Sequence, residues 1–257
     1  MKFGICTGHE QLQAVERAGG DYIECNVVNL NQLDNTQLIN FSNQLKSGRI
    51  KTECMCVLFP RTISLIGDNV DINEIKDYLS NTFKRLSILE PKIIVFGSGA
   101  SRKRPEGFCP EKAYEQLITT CRIITEQAAP YNISIALEPL NKTETNMINT
   151  IPEAVKLVKA VNKPGFKMIA DLYHMQQEDE PASVLSECKD ILIHTHIATK
   201  TLREAPKHSD KAVFAPYFDM LKKIGYNGRM SIEGKIEDGD NHLTEAFKVL
   251  HSFQGGK

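Results

Sequence analysis

The sequence predicts an α/β fold, a single (β/α)8 TIM barrel spanning residues 1–257. Three observations predict it. Short apolar runs alternate with longer amphipathic segments, the alternation recurs eight times, and the runs are mostly continuous rather than alternately apolar and polar. A continuous apolar run suits a strand covered on both faces, as in a parallel sheet, and eight strand–helix units fill the ~250 residues of a closed barrel.

The eight strand candidates are KFGIC from Lys2, DYIEC from Asp21, IKTECMCVLF from Ile50 and KIIVFG from Lys92, followed by ISIALE from Ile133, FKMIAD from Phe166, ILIHTH from Ile191 and RMSIE from Arg229. Between strands four and three from the end, TIPEAVKLVKAV opens on a capping box, in which Thr150 bonds the Glu153 amide and the Glu153 side chain reaches back. Earlier, INEIKDYLSNTFKRLSIL sets Ile75, Leu79, Phe83 and Leu86 on one helical stripe. Later, FAPYFDMLKKIGYNG stops at Gly225 and a Gly228 turn. A doubly wound sheet would carry a glycine-rich fingerprint after its first strand, and CTGHEQ does not supply one.

Composition narrows the function classes. Lys and Arg total 31 against 32 Asp and Glu, for a formal charge of −1, which lacks the basic footprint of a nucleic-acid binder. No apolar stretch approaches the ~18 residues of a membrane span. The seven cysteines are odd in number and scattered, and Cys54 and Cys56 form C-x-C with no C-x-x-C anywhere, so neither a zinc ribbon nor a thioredoxin-type site is indicated. The N-terminal run lacks a signal-peptide layout, and a reduced, cytoplasmic protein is expected, as a monomer or homo-oligomer.

In a (β/α)8 barrel the active site lies at the C-terminal ends of the strands. Here strand five ends in Glu138, strand six in Asp171, strand seven in His196 and strand eight in Glu233. Singly, each has an ordinary structural role: a strand-end Asp or Glu caps the next helix, and a strand histidine packs in a core. Four such residues on consecutive strands, all delivered to one rim, point instead to a shared divalent ion. Three hard oxygen donors and one imidazole favour Mn²⁺, with Mg²⁺, Co²⁺ or Zn²⁺ as alternatives. Two open positions on a six-coordinate ion suit the neighbouring carbonyl and hydroxyl of a sugar, whose enediolate the ion would stabilise. Glu144, His174 and Arg203 lie nearby in sequence and are candidates to bind substrate; a solvated loop carboxylate, a supporting histidine and a surface charge are their ordinary readings. His194 lies one pleat deeper than His196 and reads as a core histidine, and Glu24 as a weaker rim candidate. The loop GSGASRKRPEG from Gly97 lacks G-K-[ST], so it is no P-loop, and Arg102, Lys103 and Arg104 read as a solvated basic run.

VFGSGASRKRPEG, ALEPLNKTETNMINT, ADLYHM, HTHIA and YNGRMSIEG together resemble the sugar phosphate isomerase/epimerase family of xylose-isomerase-like barrels, which includes ketose 3-epimerases, hydroxypyruvate isomerases and inosose dehydratases. The resemblance runs along nearly the whole chain and is densest over residues 95–233. It implies that Glu138, Asp171, His196 and Glu233 are metal ligands, that Glu138 and Glu233 also form the acid/base pair, and that Glu144, His174 and Arg203 hold substrate. Two features depart from it: REAPKHSD puts Lys207 and Asp210 where glycines are expected, with Arg203 one residue late, and the chain is short for a ketose epimerase.

The expectation is therefore a metal-dependent isomerase or epimerase of a sugar or sugar phosphate. An inosose-type dehydratase using the same metal and a non-catalytic metal- or sugar-binding barrel are the alternatives. An endonuclease-IV-like nuclease needs histidines from strands three and four, and those strand ends read VLFP and VFGS.

Overall fold

A computed structural model describes residues 1–237 and 239–254. The expected strands form, as β1 (Lys2–Cys6), β2 (Tyr22–Asn26), β3 (Lys51–Cys56), β4 (Ile93–Phe96), β5 (Ser134–Leu137), β6 (Phe166–Asp171), β7 (Leu192–Ile197) and β8 (Arg229–Ile232). They pair in parallel and in sequence order, and β8 closes onto β1, so the sheet has no edge. Helices cover it from outside: α1 (Leu12–Arg17), α2 (Val27–Gln32), α3 (Asn35–Ser47), α4 (Ile72–Leu86), α5 (Pro110–Ala128), α6 (Ile151–Val161), α7 (Leu172–Gln177), α8 (Lys211–Lys223) and α9 (Gly239–Ser252). Among the described residues no helix is long and apolar enough to cross a membrane.

The sheet separates two apolar clusters. The larger packs strand against helix and includes the buried α4 stripe of Ile75, Leu79, Phe83 and Leu86. The smaller fills the barrel with Tyr22, Cys54, Cys56, Ile93, Val95, Ala136 and Ile169. Side chains alternate along a strand, so residues two apart share the interior. That parity stacks Tyr22 below Glu24, Cys54 below Cys56 and His194 below His196. Gly4 makes room for the lowest layer, because a Cβ there would lie 2.5 Å from the Tyr22 ring.

Two local details differ from expectation. Strand three was expected to run on through Val57 and Leu58 to Phe59, but Val57 has φ 55°, and this left-handed residue ends the extended run at Cys56. At α6, Thr150 Oγ1 accepts from the Glu153 amide at 3.4 Å, but Glu153 reaches back to the Asn149 amide (2.6 Å) instead of the Thr150 amide. The next amide, Ile151, is met by both oxygens of Glu180.

Candidate active site

Glu138 and Glu233 directly follow β5 and β8, and each amide still bonds the neighbouring strand, to Phe96 O and Ile197 O at 3.1 Å. Both side chains are thus fixed by the sheet and not by a mobile loop. Asp171 closes β6 and caps α7, accepting from the Tyr173 amide at 2.7 Å through Oδ1. Its ordinary helix-capping role is real, and it occupies one oxygen only. The other, Oδ2, is buried with no hydrogen-bond partner among the described residues.

Three of the four sequence-predicted ligands, Glu138, Asp171 and Glu233, converge together with His174, and His196 lies beside them. His196 Nδ1 lies 3.0 Å from Glu138 Oε1 and 3.8 Å from Glu233 Oε2. Donor atoms of Glu138, Asp171, His174 and Glu233 all lie within 4.8 Å of one another. Glu138 and Asp171 are almost fully buried, at 4% and 2% exposure. Burial, reinforced by the Glu233 charge, raises the Glu138 carboxyl above its usual range and pushes Asp171 up to about 6. Burial opposes the His196 imidazolium, yet the Glu24 and Glu138 carboxylates hold it well above the usual histidine range. Two buried carboxylates and a partly buried third facing one imidazole leave a surplus of negative charge and an orphaned oxygen, which is what a divalent cation would satisfy. The donor set fits: three carboxylates and one imidazole, with His196 offering Nδ1 while its Nε2 faces Glu24 at 3.1 Å.

Gly97 is part of the same construction. A Cβ there would lie 2.3 Å from Glu138 Oε2, so any other residue would push the carboxylate away. From the other side, Arg102 is wholly buried and donates to three main-chain carbonyls, Gly97 O, Met147 O and Glu138 O, each at 2.6 Å. The solvated basic run expected from S-R-K-R is therefore corrected for Arg102. Its positive charge is dispersed over carbonyl dipoles, and burial lowers its pKa to about 10. Lys103 is exposed beside the cavity, and the Arg104 amide bonds Asn146.

The substrate candidates also gather at the mouth. Arg203 Nη2 reaches Glu233 Oε2 at 2.5 Å and Nη1 reaches Glu144 Oε1 at 2.8 Å, with the guanidinium 4.5 Å above the Tyr173 ring. Its φ of 51° is left-handed, so the backbone spends strain to turn this side chain over the mouth. His174 Nδ1 accepts from the Asn141 amide at 3.1 Å, which places the proton of the neutral ring on Nε2. Nε2 lies 3.5 Å from Asp171 Oδ2 and is itself without a hydrogen-bond partner among the described residues, and it sits within the carboxylate cluster. The cavity above these groups measures about 640 Å³ and is walled by Phe59, Arg61, Lys103, Leu140 and Thr143. In the loop where glycines were expected, the Lys207 amide donates to Asp210 Oδ2 at 2.8 Å, closing a self-capped turn ahead of α8.

A family profile described as xylose isomerase-like TIM barrel matches residues 12–253. The chain belongs to that family. A probable ketose 3-epimerase from Synechocystis is 26% identical over 253 residues, covering 91% of this chain and 84% of that protein. Among solved structures, D-psicose 3-epimerase with D-tagatose from Clostridium cellulolyticum H10 superposes with a TM-score of 0.84 at 21% identity, covering 99% and 98% of the two chains. An IOLI protein with a bound zinc atom superposes at 0.77 with 17% identity, covering 98% of each. In this xylose isomerase-like barrel, Glu24 is a second residue, after Arg102, whose setting differs from the one expected. Glu24 is not on the rim but one layer down, where Oε2 meets His194 Nε2 at 2.7 Å and accepts from Ser231, which in turn contacts the Tyr22 hydroxyl at 2.7 Å. Its even spacing from Tyr22 on an interior-facing strand was the available signal.

Proposed function

We propose that the protein is a divalent-metal-dependent isomerase or epimerase of a sugar or sugar phosphate, working by proton transfer through an enediolate. Glu138, Asp171, His196 and Glu233 would hold the ion, most naturally Mn²⁺. When bound, the ion polarises the sugar carbonyl and lowers the cost of the negative charge that develops on it. The observation that carries this reading is the clustering of the Glu138 and Glu233 carboxylates around the orphaned, buried Asp171 Oδ2.

Glu138 and Glu233 stand three strands apart on the ring, so they flank a sugar lying across the mouth. Arg203 orients Glu233 through its short ion pair, leaving that carboxylate ready to take the proton beside the carbonyl. Glu138, on the other side of the ring, is placed to return one on the opposite face, which inverts the centre. The reverse reaction exchanges their roles. His174 Nε2, Glu144 and Arg203 would hold hydroxyl groups and fix which carbon faces the carboxylates. The similarity to a probable ketose 3-epimerase supports the epimerase form. Seven unpaired cysteines support a reducing compartment such as the cytoplasm.

The test is solvent deuterium entering the substrate, read by mass spectrometry over a panel of ketoses, aldoses and inososes with Mn²⁺. Glu233→Gln and Glu138→Gln should each slow exchange by about 10²–10⁴-fold, and a chelator should abolish it. Undiminished exchange in the variants or after chelation would overturn the mechanism. Loss of water from the product would replace epimerisation by dehydration.

A further inference from the structure

The mechanism leaves two thiols near the mouth, Cys56 buried and Cys6 partly buried, without a role. Cys6 ends β1 and Cys56 ends β3, and both project into the barrel at the level of His196, with Cys6 Sγ 3.8 Å from His196 Nε2. The two sulfurs and a Glu233 oxygen all lie within 4.8 Å of one another. Cys6 and Glu233 are partly exposed and Glu233 lines the cavity, so the trio is not sealed in the core. By contrast, Cys54 one layer lower is fully enclosed beside a histidine whose other nitrogen is already bonded to Glu24.

We infer that Cys6, Cys56 and Glu233 form a second cation site, selective for a thiophilic divalent ion such as Zn²⁺ or Cd²⁺, and that filling it inhibits the enzyme. Two thiolates, one carboxylate and an open position are the donor set of a four-coordinate zinc site. With metal–sulfur bonds of about 2.3 Å, tetrahedral donors sit about 3.5–4 Å apart, which lies inside the 4.8 Å that bounds this trio. Hard ions that prefer oxygen have no reason to leave the carboxylate-rich site for the thiols, whereas a soft ion gains by doing so. The two sites share Glu233. An ion held by the thiols therefore draws that carboxylate from its partner Arg203 and from proton transfer. The inhibition, though not the binding, rests on the function proposed above.

The experiment is a Cd²⁺ titration of the purified, Mn²⁺-loaded protein, following ultraviolet sulfur-to-cadmium charge-transfer absorption without substrate. One equivalent should saturate the signal. Cys6→Ser and Cys56→Ser should each weaken Cd²⁺ binding at least about tenfold, while Cys109→Ser, at an exposed cysteine elsewhere, should leave it unchanged. Should a variant fail to fold, alkylation of the wild-type protein with peptide mapping decides, because Cd²⁺ should shield Cys6 and Cys56 and spare Cys109. In the deuterium-exchange assay, Cd²⁺ should inhibit the wild type at least about tenfold more strongly than Cys6→Ser. A thiolate signal that persists in the double Cys6→Ser/Cys56→Ser protein, or Cd²⁺ binding with no thiolate signal at all, overturns the site. Because the absorption is read without turnover, a protein that binds Cd²⁺ through these thiols yet shows no exchange on any sugar would contradict the proposed function and not this site.

Discussion

Two layers of buried acid, one pleat apart inside the same barrel, are satisfied in opposite ways. In the lower layer Glu24 meets His194, His196 and Ser231, and Ser231 meets Tyr22, so both carboxylate oxygens are bonded. Burial alone would raise the Glu24 carboxyl, but the two histidines hold it well below its usual range. In the upper layer Glu138, Asp171 and Glu233 face one another, Glu138 beside His196 and Glu233 paired with Arg203, while Asp171 keeps an unbonded oxygen and burial raises both Glu138 and Asp171. Burial of a charge is common to both layers and so distinguishes neither. The bonds left unmade are what mark the upper layer as a place for something else.

The largest effect that would sharpen this contrast is expected in the lower layer. Glu24→Gln removes the charge that both histidines share and should cost about 3 kcal/mol, read as a fall in Tm of about 6–10 °C in the presence of a chelator. An unchanged Tm would mean that the lower network is not the stabilising layer described here. Next in size is the response to metal. Mn²⁺ at about 100 times its Kd should stabilise the wild type by about 2.7 kcal/mol, and Asp171→Asn should largely remove that gain. The same variant, measured with chelator, should match the wild type or exceed it by about 1 kcal/mol, since it relieves repulsion while its remaining oxygen still caps α7. Destabilisation of the metal-free variant would erase the contrast between the layers.

The smallest expected effect concerns Glu180, a buried carboxylate outside both layers. Burial, then the nearby Glu153, raises it from 4.5 to about 7. The folded state therefore binds this proton more tightly than the unfolded chain does, so the associated stability is full below about pH 4.5 and is lost as pH rises through about 7. Glu180→Gln keeps an acceptor for the Ile151 amide and should gain about 1–2 °C in Tm relative to wild type between about pH 5 and about pH 8. No relative change over that range would contradict the raised carboxyl.

The strands and the upper layer were legible in the sequence because they rest on local signals. Continuous apolar runs mark strands buried on both faces, and a polar residue at the end of each run from β5 to β8 marks the rim. Arg102 was not legible. Its neighbours Lys103 and Arg104 make it look like part of a charged surface, and its three acceptors come from segments that meet only when the barrel closes. Gly97 carried no readable signal either, since its role depends on where a carboxylate 41 residues later in the chain comes to rest. Glu24 was half legible: its parity with Tyr22 indicated the interior, but its depth depended on the stagger between β2 and β7.

Arg102, through its three carbonyl partners, also sets which side of the entrance can give way. Its planar fork ties the segments after β4 and β5 into one rigid jaw, so larger or smaller guests must be accommodated on the side of the β7 connection, which carries exposed Leu202. Attempts to retune what this protein accepts should begin on that yielding side, leaving the welded jaw untouched.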